Sequence, residues 1–272
     1  MAPLTHSRGC ETLVNCSWSD CAYNATAEER YIEARNIWDA IVVCSAGNTR
    51  CSSRSDKVYP ASYDACISVT TVGHVFDYGH IDGVLWKDVH PHTVNDTTTS
   101  YHHNDAVNIC APGYYITCTA NGGGYVNVGG TSMSSPIVAG VVGMIKAVNP
   151  CLTADEVVDI LLSTADPTLY SLPENAPFIG RLGTGRVDAY EAVKKAAETA
   201  TIVLENEVLT GTRVIESNYA IHIKGNVTVD PNANILLKTR KEVLIDENFE
   251  VPLGATFEID VNESNTLCVE NL

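Results

Sequence analysis

Apolar positions in the first 200 residues follow two rhythms, one of strands and one of helices. The segment 12–19, "TLVNCSWS", reads as a short strand running into a polar loop. From Ala27 to Ala40 helix formers dominate, and Tyr31, Ala34, Ile37 and Trp38 recur at helical spacing. Ile41 to Ala46 is an unbroken apolar run halted by Gly47-Asn48, and Ala65 to Val72 is another. Unbroken runs of this length suit parallel strands buried on both faces. Strand, helix, strand at this spacing predicts a parallel sheet covered by helices. His74 to Asp105 is rich in His, Asp, Thr and Tyr with weak periodicity, and is expected to form strands joined by long surface loops. Val107–Cys110 and Tyr114–Thr119 flank an "APG" turn, and Tyr125–Val128 leads into a helix expected over Thr131–Ala147. Pro136 falls in that helix's first turns, where proline is best tolerated. Thr153-Ala154-Asp155-Glu156 is a capping box opening a helix to about Ser163, and Asp188 with Glu191 opens another to Ala200.

After Thr201 the rhythm changes to alternation: "TIVLE", "AIHIKGNVTV", "NILLK", "EVLID", "FEVPL" and "TFEIDV". A 22-residue repeat aligns Val227, Val229, Ala233, Ile235 and Leu237 with Phe249, Val251, Ala255, Phe257 and Ile259. Such a period suits a small β-solenoid, in which each coil covers its neighbour's apolar face, with a compact β-sandwich as the alternative. The expected division is 1–200 and 201–272.

Composition narrows the function classes. Hydrophobic content of 45% and charged content of 18% belong to a globular protein with a real core. A formal charge of −16 argues against nucleic acid or an anionic membrane surface as partner. No stretch reaches the roughly 18 apolar residues a bilayer span needs. The segment "MAPLTHSRGC" lacks the charged start and apolar core expected of a signal peptide. The ten cysteines show no CxxC pair. Cys44 and Cys66 lie in strand-like runs as buried thiols, whereas Cys10, Cys21, Cys51 and Cys151 lie in polar settings and can pair in an exported protein.

The stretch "GGTSMSSPIVAG", Gly129 to Gly140, concentrates the chemistry. A nucleophilic serine needs exposure on a constrained turn, a base within reach and donors for the oxyanion. Gly129-Gly130 supplies the turn, and the helix start places the Ser132 N–H at a positive dipole end. A Gly-Thr-Ser turn is also a common helix cap, so the motif alone decides nothing. Other segments occur in a telling order: "CSWS", "IVVCSAGN", "VYPASYDACISVTTVG", "VNICAPG" and "GRVDAY". With the serine motif they resemble the subtilisin-like serine peptidases over roughly residues 12 to 200.

The resemblance implies a partial subtilisin-like α/β/α domain with a mostly parallel sheet, followed by a small all-β domain. It implies that Ser132 attacks the peptide carbonyl while its own N–H and the Asn48 side-chain amide hold the oxyanion. It places Ser17, Trp18, Ser19, Ser45, Ala46, Gly47 and Thr131 along the substrate groove, and Tyr59, Pro60 and Ala61 at a pocket wall. Ser19 stands where the family usually has glycine, which narrows the pocket entrance. The implied partner is a polypeptide substrate. No metal is implied in catalysis. Structural calcium is a habit of the family, yet no acidic loop of defined spacing picks out a site. The C-terminal region resembles β-rich modules appended to exported peptidases and surface proteins of Bacteroidetes-type bacteria, which implies a secreted or cell-surface parent.

The family orders its triad Asp, His, Ser. Its Asp-Thr/Ser-Gly and His-Gly-Thr contexts do not occur in this sequence. His6 lacks the context, His102-His103 are expected at the surface or in a turn, and His222 is expected to face solvent. A serine without a base stays protonated and is a poor nucleophile. The expectation is therefore little or no peptidase activity from this chain, and marginal stability at an open sheet edge near Thr12. Three accounts compete, in this order: part of a longer secreted peptidase, a pseudopeptidase that binds peptides, or one half of a split enzyme completed by an Asp/His-bearing N-terminal half.

Overall fold

The computed structural model describes residues 12–48, 51–53, 55–74, 88–89, 101–113, 116–171 and 173–262. The chain parts into two compact units, Met1–Gly143 with Thr153–Ala192, and Met144–Leu152 with Val193–Leu272.

The first unit carries β1 (Leu13–Cys16), α1 (Ala25–Trp38), β2 (Ile41–Ser45), β3 (Cys66–His74), β4 (Asp88–Val89), β5 (Ile109–Pro112), β6 (Ile116–Ala120) and β7 (Gly124–Val128). After them come α2 (Thr131–Val148), which belongs to the second unit from Met144 on, α3 (Ala154–Ser163), 3₁₀ turns at Pro167–Ser171 and Pro173–Phe178, and α4 (Ala189–Thr199), which belongs to the second unit from Val193 on. β1, β2, β3 and β5 lie side by side, all parallel, with β4 antiparallel on the far end of β3. The expected α/β class is thus borne out. β2 is buried at every residue, as an unbroken apolar run requires. β6 and β7 form a separate antiparallel hairpin.

The helices begin where local chemistry starts them. Asn24 caps α1 by accepting from the Ala27 N–H at 3.0 Å, and Asp39 in the left-handed region ends it, two residues before β2. The Thr153–Glu156 capping box forms as predicted, with both reciprocal bonds. Asp188 accepts from the Glu191 N–H at 2.9 Å at the head of α4. On one face of the sheet, Cys16, Val42, Cys44 and Cys66 pack with Ala61, Tyr63 and the α1 residues Ala27 and Tyr31. Cys44 and Cys66 are the buried thiols expected. Hydrogen bonding with Cys16 and Cys66, together with burial, pushes the Cys44 thiol far up and keeps it protonated. Cys21 and Cys51 form a disulfide, and Cys151 is also disulfide-bonded. Cys10 lies outside the described residues, as do His6 and most of the segment 74–105.

One expectation is corrected. His102 and His103 are not at the surface: they are 1% and 2% exposed. The run Tyr101–Asn104 is drawn inward because it backs the strand ends, with the His102 N–H bonded to the Gly47 carbonyl at 3.0 Å and Asn48 bridged to Tyr101. The His103 ring meets Thr70 Oγ1 at 2.9 Å through Nδ1. α2, at 18 residues, is long and apolar enough by length and composition to cross a membrane, a test that core helices also pass. Its Ser134 and Ser135 bond to Thr71 of β3 and Asn15 of β1, which is the behaviour of a core helix.

The second unit contains β8 (Thr201–Glu205), β9 (Val208–Leu209), β10 (Thr212–Ser217), β11 (Ala220–Lys224), β12 (Val227–Val229), β13 (Asn234–Thr239), β14 (Glu242–Ile245), β15 (Phe249–Glu250) and β16 (Thr256–Val261). They stack as three parallel sheets, β8-β11-β14, β9-β12-β15 and β10-β13-β16. The 22-residue repeat becomes register: Val227 lies opposite Phe249, Ile235 opposite Phe257, and Leu237 opposite Ile259. Strands pairing in parallel with their repeat equivalents make a solenoid and exclude the sandwich. Its inside is a file of aliphatic side chains, Leu204, Leu209, Ile215, Ile221, Ile223, Val227, Val229, Ile235 and Leu237, all buried. His222 is half-buried and pairs with Asp246 at 3.0 Å.

Candidate active site

The C-terminal ends of β1 and β2 open toward the N-terminus of α2. Here the sequence-predicted residues come together. Thr131, fully buried, is the knot: its hydroxyl donates to Asn48 Oδ1 at 3.0 Å and accepts from the Gly47 N–H at 3.1 Å. Asn48 Oδ1 also accepts from the Thr131 N–H at 3.0 Å. With its oxygen held twice, the Asn48 carboxamide has a fixed orientation and presents its NH2 on the opposite side, a donor fit for a developing oxyanion.

Two glycines make this approach possible. Gly47 has φ 102°, and a Cβ there would meet Val58 Cγ1 at 3.0 Å. Gly130 has φ 148°, and a Cβ there would press on Asn48 Nδ2 at 3.1 Å.

Ser132 is half-exposed at the head of α2. Its hydroxyl donates to the Ser17 carbonyl at 3.2 Å, and the Ser17 hydroxyl donates back to the Ser132 carbonyl at 3.0 Å. Asn15 Nδ2 donates to Ser17 Oγ at 3.0 Å, and Ser135 Oγ donates to Asn15 Oδ1 at 2.5 Å. This polar chain clamps β1 to α2. A peptide carbonyl can orient the Ser132 proton, yet it cannot carry that proton away. His102 Nδ1 lies at 3.3 Å from the Asp56 carbonyl, and His103 Nδ1 is taken up with Thr70.

The remaining predicted residues form the surroundings. Trp18 is 58% exposed, beside the exposed Ser17 and half-exposed Ser19. Asp20 and Tyr59 exchange backbone bonds of 2.8 Å each way, which joins the groove segment to the Tyr59-Pro60-Ala61 wall. Tyr59 belongs to an aromatic group with Tyr23 and Tyr63, at ring separations of 5.4 and 5.0 Å. Ser45 and Ala46 are buried, and the Ala46 N–H bonds to the Val69 carbonyl at 2.9 Å.

Sequence reasoning missed a supporting layer. Ser134 Oγ lies 2.9 Å from Thr71 Oγ1 and donates to the Ala111 and Pro112 carbonyls at 3.0 and 3.2 Å. Asn15 and Ser135 were missed as well. The available signal was two consecutive serines inside an otherwise apolar helix, which must find partners when buried. Among the described residues no group of three or more His, Cys, Asp or Glu side chains is placed to hold a metal ion.

A family model described as the subtilase family (Peptidase_S8) matches residues 9–200. The chain belongs to the subtilase family. Among relatives, this subtilase chain is 32% identical over 154 residues to the halolysin-like extracellular serine protease Nep of Natrialba magadii, covering 56% of this chain and 23% of that protein. It is 30% identical over 143 residues to subtilisin DY of Bacillus licheniformis, covering 52% and 45% respectively. Solved structures share the fold. A protease of Pseudoalteromonas arctica matches with TM-score 0.51 and 24% identity, over 68% of this chain and 51% of that one. The prenylagaramide maturation protease PagA matches with TM-score 0.51 and 22% identity, over 68% and 61%. The chain therefore spans between about a quarter and less than half of the length of these two curated relatives.

Proposed function

We propose that this chain is the serine- and oxyanion-bearing part of a subtilisin-like serine endopeptidase, and that by itself it has little or no peptidase activity. The observation that carries the reading is the Thr131–Asn48–Gly47 knot beside Ser132. It sets an amide donor and a helix N-terminus around one exposed hydroxyl, the arrangement that acyl transfer to serine requires. Ser132 is the nucleophile. Its backbone N–H and Asn48 Nδ2 stabilise the oxyanion, Ser17, Trp18, Ser19, Ser45, Ala46 and Gly47 line the groove, and Tyr59, Pro60 and Ala61 wall the pocket. The substrate class is extended polypeptide. The missing proton acceptor comes from an Asp/His-bearing part of the catalytic domain. The parent protein is secreted, in keeping with the extracellular protease among its relatives and the Cys21–Cys51 disulfide.

A second reading is an extracellular module that binds peptides without turnover. It is favoured by the donation of the Ser132 hydroxyl to the Ser17 carbonyl. An extended fluorogenic peptide tests both. Slow cleavage that depends on Ser132 and weakens in Asn48→Ala supports the peptidase reading. Saturable anisotropy with no cleavage, unaffected by Ser132→Ala, supports the binding module. Cleavage that persists in Ser132→Ala contradicts both.

A further inference from the structure

Three thiols share one face of the parallel sheet, and acyl transfer at Ser132 uses none of them. Cys16 closes β1, Cys44 lies in β2 and Cys66 opens β3, all three as free thiols in one core cluster with Tyr31 of α1. The parallel register sets Cys16 directly opposite Cys44. Neighbouring strands run about 4.8 Å apart, inside the range of roughly 4.4–6.8 Å between Cα atoms that a disulfide spans. Cys66 stands opposite Val42, two residues back from Ser68, the β3 partner of Cys44. Two residues of strand rise and one interstrand spacing put it about 8 Å from Cys44, beyond that range. The pair that can be bridged is therefore Cys16 with Cys44. Their states differ. Hydrogen bonding from Cys44, and after it from Tyr31 and Trp18, outweighs burial and draws the Cys16 thiol toward its ionised form. Cys44, with its hydrogen bonding shared between Cys16 and Cys66, keeps its proton. Cys16 is 6% exposed, at the point where β1 passes from the core to the exposed Ser17 and Trp18, whereas Cys44 is fully enclosed. A thiolate beside a thiol at bridging distance is the arrangement of an attacking and a resolving cysteine.

We propose that Cys16 and Cys44 form a peroxide-sensitive dithiol, Cys16 attacking and Cys44 resolving, whose oxidation ties the end of β1 to β2. The Cys16 thiolate attacks one oxygen of hydrogen peroxide. An S–O bond forms, the O–O bond breaks, and the departing hydroxide takes a proton from solvent. The Cys44 sulfur then attacks the sulfenic acid on Cys16: the S–S bond forms, the S–O bond breaks, and the Cys44 proton leaves with the hydroxide as water. The two cysteines give up two electrons, and the peroxide is reduced to two waters. The position of the pair gives this step its consequence. Cys16 precedes Ser17, whose carbonyl accepts from the Ser132 hydroxyl, and Cys44 runs through Ser45, Ala46 and Gly47 to Asn48. A covalent tie between these two strands joins the serine side of the site to its oxyanion side and holds Ser17 and Trp18 in place. This consequence rests on the peptidase reading, whereas the dithiol does not.

The test treats the purified chain with hydrogen peroxide, blocks the remaining thiols by alkylation and maps the cysteines by mass spectrometry. The expected product is a Cys16–Cys44 cross-linked peptide, lighter by two hydrogens than its free halves and reopened by dithiothreitol. It should form about tenfold or more faster than oxidation of Cys118, a free thiol with greater exposure. Cys44→Ala should stop the reaction at the Cys16 sulfenic acid, trapped by dimedone. Tyr31→Phe, which keeps the ring and removes one donor, should slow the cross-link severalfold, and Cys66→Ala should leave it in place. Amide exchange at Ser17 and Trp18 is expected to slow about tenfold once the cross-link has formed. Oxidation at Cys118 with Cys16 and Cys44 still reduced, or a Cys44–Cys66 cross-link, overturns the dithiol. Both results are read on the unaltered chain, so they hold however the variants fold. A Cys16–Cys44 cross-link with unchanged exchange at Ser17 and Trp18 overturns the tie to the site. None of these readouts needs catalysis, so their failure leaves the peptidase reading standing.

Discussion

Thr131→Val replaces the central hydroxyl of the site by a methyl of nearly the same shape, so packing is kept and the polar knot is cut. Three bonds meet at this residue, and two belong to the hydroxyl: its donation to Asn48 Oδ1 and its acceptance from the Gly47 N–H. The first loss is modest, about 1 kcal/mol, because Asn48 Oδ1 keeps the Thr131 N–H. The second is larger. Gly47 is buried, and an orphaned buried donor costs about 1–3 kcal/mol. The expected total is about 2–4 kcal/mol, measured as a fall in the urea midpoint at constant slope. Thr131→Ser keeps the hydroxyl and removes one buried methyl, so it should cost about 1 kcal/mol. An equal loss in both variants, or less than about 0.5 kcal/mol in Thr131→Val, would refute the reasoning, since it would mean that the Gly47 N–H finds another partner.

Three further outcomes follow from the same structure. Cys51→Ser opens a cross-link between residues 30 positions apart and should cost roughly 3–4 kcal/mol by the chain-entropy estimate, read as a lower thermal midpoint; no shift would count against it. Asp166 is held below its ordinary 3.8: desolvation opposes this, but hydrogen bonds from Thr168 and the Arg186 guanidinium outweigh it. Its stabilising contribution is therefore present at neutral pH and lost as the pH falls through the depressed folded value, so Asp166→Asn should flatten the acid limb of a stability profile, and an unchanged limb would contradict the assignment. Ile235→Ala deletes a fully buried side chain from the middle coil and should cost about 2–5 kcal/mol; a loss below about 1 kcal/mol would mean that the coils pack loosely.

Much of this architecture was legible in the sequence because its signals are local. The unbroken run at Ile41, the capping box at Thr153 and the 22-residue repeat each appear as a buried strand, a capped helix and a ladder register. The first solenoid coil was not seen as a repeat because it is shorter: Thr201 pairs with Ala220 and Val208 with Thr228, so its offsets differ from the later 22. His102 and His103 were misplaced because polar composition reads as surface. Their burial depends on long-range bonds, to Gly47 and Thr70, that no window of sequence contains. The site itself divides the same way. Ser132 and Asn48 are visible as motif residues, whereas the linking role of Thr131, Asn15 and Ser135 depends on contacts 83 to 120 positions apart.

In this account Ser132 is a well-placed serine whose proton has nowhere productive to go, because its hydroxyl faces the Ser17 carbonyl. The rate at which a fluorophosphonate modifies Ser132 in the purified chain at neutral pH measures this directly. The account predicts labelling no faster than that of the Ser132→Ala background. Rapid stoichiometric labelling at Ser132 would show that a base is already present within this chain, and would contradict it.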